Sequence, residues 1–156
     1  MLSTASSAKS KGLCWIQLGA ILAGLSVVTG AFAAHGLEDY LLKLYDEKTH
    51  VILGVTIPSA QKYLGDFKTA AEYQMYHSLA LVLTGLLALN GNRRSLTVAA
   101  ISFLIGIVLF SGSLYVLVLT GIRWLGAITP LGGTAFLIGW TAMAIAAWKM
   151  GRNKDQ

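Results

Sequence analysis

The sequence predicts an all-α fold: an integral membrane four-helix bundle with short amphipathic helices in its first connector. Three observations carry that prediction. Four long stretches lie free of Asp, Glu, Lys and Arg: between Lys11 and Glu38, Glu72 and Arg93, Arg94 and Arg123, and Arg123 and Lys149. A hydrocarbon core of about 30 Å takes about 20 helical residues at about 1.5 Å each, and every stretch meets that length. Only 12% of the 156 residues are charged, and the mean hydropathy is +0.64. A soluble domain carries about 25% charge. Finally, the spans consume so much of the chain that residues 1–156 form a single polytopic domain with no separate globular unit.

The formal net charge of +5 reads as topology and excludes a nucleic-acid partner. Lys9, Lys11, Arg93, Arg94, Lys149, Arg152 and Lys154 lie in the two tails and the second connector, with Asp155 the one acid among them. The other basic residues share the first and third connectors with Glu38, Asp39, Asp46, Glu47, Asp66 and Glu72. Basic loops stay cytoplasmic, so both termini are expected inside the cell (inner) membrane. Cys14 is the single cysteine, which rules out an internal disulfide or a cysteine metal cluster; a core thiol is the expected role. A rival reading of the N-terminus is a cleaved signal peptide, with Ala31-Phe32-Ala33 as the cleavage site and three spans remaining.

The first span is predicted over 13–35. Gly19, Ala23, Ser26, Gly30 and Ala33 fall on one helical face, and Ala20, Gly24 and Ala31 on another. Small residues let helices approach closely in lipid, so this helix is expected to touch two neighbours. In the connector over 36–70, Leu37, Tyr40, Leu41, Leu44 and Tyr45 follow one amphipathic pattern; Ala60, Tyr63, Leu64 and Phe67 follow a second, with Ser59 as cap. Two short helices on the outer surface, or a cover over the bundle mouth, are expected, separated by an aperiodic apolar piece over 51–57. Ile57, before a proline, is expected to be extended. Span two covers 71–89 and ends at the turn signal Asn90-Gly91-Asn92. Span three covers 96–120, with Ser102, Gly106, Ser113 and Thr120 on one stripe, and Gly121 ends it. Thr129-Pro130 starts span four, over 130–150, whose small face is Gly132, Ala135, Gly139, Ala142 and Ala146. Trp124 and Trp148 fall at its two ends, where interfacial aromatics belong.

The ionisable candidates are His35, Glu72 and His77. Counted from their span ends, His35 and His77 share a membrane depth, and Tyr73, Tyr76 and His77 form a polar cluster at the outer end of span two. Three readings compete: a hydrogen-bonded histidine stapling two helices, a proton or small-solute pathway under the connector, and a haem, metal or quinone site between His35 and His77. His50 reads as a solvated surface residue. A second candidate is an anion site at the helix start formed by Arg123, Thr129, Gly132 and Gly133, opposed by close helix packing at the glycines. No catalytic or metal-ligating motif occurs, and no cofactor is called for by the residues.

Four blocks carry a resemblance. They are Gly30-Ala31-Phe32-Ala33-Ala34-His35-Gly36-Leu37, Tyr73-Gln74-Met75-Tyr76-His77, Phe110-Ser111-Gly112-Ser113-Leu114-Tyr115 with Thr120-Gly121, and Leu125-Gly126-Ala127-Ile128-Thr129-Pro130-Leu131-Gly132-Gly133. In this order they resemble the family of small membrane proteins that includes human transmembrane protein 256 and a bacterial inner-membrane branch. Ala33 stands where that pattern has glycine, and the connector between His35 and Tyr73 is longer than usual. The resemblance implies a multi-pass membrane protein and no particular reaction. The lack of a catalytic constellation and the abundance of helix-packing faces make the expected role non-enzymatic, accessory to a larger complex, with the lipid bilayer and a membrane-protein partner or second copy as partners. A small transporter and a redox-linked subunit are the alternatives.

Overall fold

The computed structural model describes residues 2–46, 48–89 and 94–152. Glu47, the Asn90-Gly91-Asn92 turn, Arg93, Lys154 and Asp155 lie outside the described residues. The chain is all-α apart from one hairpin. In order it forms α1 (Leu2–His35), α2 (Leu37–Leu44), β1 (Thr49–Ile52), β2 (Val55–Pro58), α3 (Ser59–Ala88), α4 (Arg94–Gly106), a π-helical segment (Ile107–Gly112), α5 (Ser113–Thr120), a 3₁₀ turn (Arg123–Ala127) and α6 (Thr129–Arg152). Among the described residues, three helical stretches are long and apolar enough to cross a membrane: Lys9–His35, Arg94–Thr120 and Arg123–Arg152. Helix α3 has the length as well, but Lys62, Asp66, Lys68 and Glu72 make its first half polar.

The connector departs most from expectation. The first amphipathic helix is α2, with Leu37 and Leu41 completely buried. The aperiodic piece is a β-hairpin. Its β-branched residues favour strands, and Leu53 (φ 50) and Gly54 (φ 81) make a turn with both central residues left-handed. Ile57 is extended, as a residue before proline should be. The second surface helix and span two are one 30-residue helix, α3. Gly65 is the one weak former near the expected break, costing about 1 kcal/mol relative to alanine. Buried Ala60, Tyr63, Phe67, Ala70, Ala71 and Gln74 keep one helical face packed straight through it. Ser59 does not cap α3. Pro58 holds that position, and the Ser59 hydroxyl bonds the His50 ring instead.

Helices α1 and α3 run antiparallel in close contact. A Cβ at Gly12 would stand 2.9 Å from the Gly85 carbonyl oxygen, and one at Gly19 would stand 2.8 Å from that of Ser78. Gly12, Gly19, Ser26 and Ala33 are the buried line of α1, while Ala23 and Gly30 are half-buried. Ala20, Gly24 and Ala31 are exposed, so the second small face of α1 has no neighbour among the described residues. Cys14 is exposed rather than a core thiol.

Helices α4 and α6 interlock by ring into glycine. A Cβ at Gly139 would meet the Phe103 ring at 2.6 Å, Gly106 faces the Phe136 ring, and Gly132 lies on the Phe110 backbone. All five small residues expected on the inner face of α6 are buried, joined by Phe136. The stripe expected on the third span survives only in part: Ser102, Gly106 and Ser113 are buried and Thr120 is exposed. The wider π turns between Ile107 and Gly112 rotate everything after them relative to an unbroken α-helix. Ser111, within that segment, is completely buried, and its hydroxyl has no hydrogen-bond partner among the described residues. Gly121 ends α5 in the left-handed conformation (φ 73) that favours glycine at a helix C-terminus.

Candidate functional site

His77 is buried where α3 faces α4 and α6. Its Nδ1–H donates to the Tyr73 carbonyl oxygen at 2.7 Å, which is the ordinary back-bond one helical turn away. That leaves Nε2 as an acceptor, and the indole Nε1–H of Trp140 donates to it at 3.3 Å. The ring stacks on Phe136 with centroids 3.3 Å apart and planes 8° apart, and Phe103 closes a further side at 5.8 Å. Both nitrogens of a neutral imidazole are thus engaged inside an aromatic box. A ligand at Nε2 would have to displace Trp140.

Tyr73 belongs to the same box, stacked on His77 at 5.8 Å and on Phe110 at 4.6 Å. Tyr76 touches Tyr73 but is exposed. His35 is elsewhere. The contacts between α1 and α3 set a register: Ser26 Oγ donates to the Ala71 carbonyl, Gln74 Nε2 to the Leu22 carbonyl, and Phe32 meets Phe67. That register puts His77 level with Gly19 or Ala20. His35, about 15 residues further along α1, is about 22 Å away along the helix axis. The shared depth expected for the two histidines is therefore wrong, because α3 starts at Ser59 and His77 lies deep within it. Two ligands that far apart cannot hold one haem or metal ion. The conduction reading also weakens, since Thr84, the next polar side chain inward on the predicted face, donates to its own helix at the Ala80 carbonyl.

A network that the sequence reading missed lies one turn outward. Gln74 is buried; its Nε2–H₂ reaches the Leu22 carbonyl of α1 at 2.8 Å, and its Oε1 accepts from the Tyr115 hydroxyl of α5 at 3.0 Å. Tyr115 also meets the Thr29 hydroxyl of α1 at 3.0 Å. Three helices are joined through one amide and one phenol. The available signal was a glutamine in a span otherwise poor in polar side chains, together with a tyrosine following a serine-rich block.

The helix start near Arg123 is filled rather than open. The N–H groups of Leu131 and Gly132 bond the Ile128 carbonyl, the Thr129 hydroxyl meets that of Ser113 at 2.9 Å, and Gly132 is occupied by Phe110. Gly133 has open space beside it. Close packing is the arrangement observed at Gly132. Arg123 turns to a different cavity, lined also by Tyr45, Lys48, His50 and Ser59. His50 is not a free surface residue: its Nδ1 pairs with Ser59 Oγ at 2.8 Å and its ring meets Tyr63 edge-on. The Tyr45 hydroxyl donates to the Val118 carbonyl at 3.0 Å. Its burial first, then neighbouring Tyr63 and Tyr40, push its pKa above the ordinary value against a lowering by Arg123, so it stays a neutral donor.

A family described as "Protein of unknown function (DUF423)" matches residues 29–133. The chain is 47% identical over 137 residues to the UPF0382 membrane protein YwdK of Bacillus subtilis, covering 86% of this chain and 96% of that protein. It is 44% identical over 137 residues to a UPF0382 membrane protein of Staphylococcus epidermidis, covering 86% and 95%. Against one from Haemophilus influenzae the identity is 38% over 135 residues, covering 86% and 94%. No solved structure matches the chain.

Proposed function

The chain belongs to the DUF423 family, whose relatives are named membrane proteins, and on that premise we propose that it is a non-enzymatic subunit that assembles with a protein partner inside the bilayer. In this reading α3 crosses the membrane beside the three more apolar helices, giving a four-helix bundle. Lys9, Lys11, Arg94, Lys149 and Arg152 support cytoplasmic termini in the cell (inner) membrane. The close contact of α1 with α3 supports retention of the N-terminal span.

One observation carries the assembly reading. Glu72 is exposed on α3, level with Leu25, near the midpoint of the charge-free stretch of α1. Lys68, one helical turn toward the outer end, is exposed as well, and neither forms an ion pair among the described residues. A carboxylate near the bilayer centre costs about 3 kcal/mol on insertion scales and is as a rule covered by protein. Tyr76 extends the same polar stripe inward before Leu79, Leu83 and Leu86 restore an apolar surface. The sealed surroundings of His77 support a stapling role for that residue.

A photo-crosslinking residue in place of Tyr76 tests the reading in native membranes. A discrete protein adduct is expected, and Glu72→Lys should abolish it. Adducts to lipid alone would overturn the proposal. If the adduct is a second copy of the chain, the swap Lys68→Glu with Glu72→Lys restores it; if it is another subunit, the swap does not.

A further inference from the structure

We propose that the cavity where α2, β1, α3 and α5 meet binds a phosphate group, carried either by a phospholipid headgroup or by a soluble phosphate ester. The cavity measures about 280 Å³ and is lined by Tyr45, Lys48, His50, Ser59, Tyr63 and Arg123, with the end of α5 at Thr120 and Gly121. Two permanent cations and an imidazole converge on it, and no carboxylate is among its described lining residues. Neither Lys48 nor Arg123 forms an ion pair among the described residues. Phosphate oxygens are the natural acceptors for such a set, because arginine offers a planar fork and lysine a point charge.

The His50–Ser59 pair adds a neutral donor whichever way its proton lies. If the Ser59 hydroxyl donates to Nδ1, the imidazole carries its proton on Nε2. If Nδ1–H donates to Ser59 Oγ, the serine O–H is free. Of the three other hydroxyls in the lining, two are committed, Tyr45 donating to the Val118 carbonyl and Thr120 to the Val116 carbonyl, and the Tyr63 phenol adds a further neutral donor.

Depth supports the same ligand. The cavity lies where α1 ends at His35, α5 ends at Thr120 and the last apolar stretch begins at Arg123. Headgroup phosphates sit just outside the hydrocarbon core, at the level where spanning helices stop. Trp124, next to Arg123, is exposed there as an interfacial anchor. This inference is independent of the assembly reading, since it concerns a different surface and different residues.

The experiment uses the full-length protein in mild detergent, with bound lipid read by native mass spectrometry. It is offered equal amounts of phosphatidylglycerol and of diacylglycerol with the same chains, and in a second arm isotope-labelled inorganic phosphate. Phosphatidylglycerol adducts are expected to exceed diacylglycerol adducts about tenfold, the effect of one or two charge-assisted hydrogen bonds. Lys48→Gln with Arg123→Gln should remove that excess. Lys48→Arg with Arg123→Lys should keep most of it and serves as the control for folding. An excess that survives competing inorganic phosphate assigns a lipid headgroup. Retention of labelled phosphate without a lipid preference, lost in the Gln pair, assigns a soluble ester. The proposal is overturned if the wild-type protein binds neither probe, or if the Gln pair binds as the wild type does.

Discussion

The seam between α1 and α3 and the seam between α4 and α6 solve the same problem in different ways. Each holds two helices together, and wherever such a seam meets lipid, a solvent as apolar as the side chains themselves, burial gives no net drive. The α4–α6 seam does it by shape, with Phe103 in the hollow of Gly139, Phe136 in that of Gly106, and the Phe110 backbone on Gly132. The α1–α3 seam does it partly by backbone contact at Gly12 and Gly85, and partly by hydrogen bonds from Ser26 and Gln74 to carbonyls across the interface. A shape seam tolerates no added volume. A polar seam tolerates small shifts but not the loss of a partner.

The hardest way to break the comparison is volume. Gly132→Leu should destabilise the protein by about 3 kcal/mol or lose its fold, because the clash is with backbone, which cannot rotate away. Thermal unfolding in detergent measures it; a melting point near that of the wild type would mean that the α4–α6 seam is looser than described. Next comes Gln74→Leu, which keeps the volume and removes two hydrogen bonds, leaving the Leu22 carbonyl short of a donor. A loss of about 1.5 kcal/mol is expected, and a neutral result would show that the seam rests on the glycine contacts and the Ser26 bond without the Gln74 amide. Trp140→Phe keeps the aromatic box and removes the donor to His77, for a loss of about 1 kcal/mol in the same assay. Smallest is Ser111→Ala, which deletes a hydroxyl that has no partner among the described residues. Stability should stay the same or rise by about 0.5 kcal/mol; a clear loss would reveal a bound water or ligand at the π segment.

How much of this was legible in the sequence follows the same division. The inner face of α6 was readable residue by residue, because small residues at helical spacing leave a one-helix signature. The phenylalanines that fill those glycines were not, since a ring and its hollow lie on different helices and no periodicity links them. The end of α5 at Gly121 was readable from local chemistry. The continuity of α3 was not: Lys62, Asp66, Lys68 and Glu72 look like surface helix, and only their packed neighbours show that one rod passes through. That error in the start of α3 alone placed His77 at the depth of His35. The polar cluster was half legible. Tyr73 and His77 do meet, but Trp140 and Phe136 come from the far end of the chain.

The tyrosine hydroxyls of the connector have a mechanical consequence. Tyr40 donates to the Leu119 carbonyl and Tyr45 to that of Val118, so α2 is moored to the last turn of α5 at two points. Lifting α2 would strip both carbonyls of their side-chain donors, and any slide of α5 along its axis would drag α2 with it. The position of α2 thus reports the axial position of α5. A spin label on Lys43 would register such a piston movement.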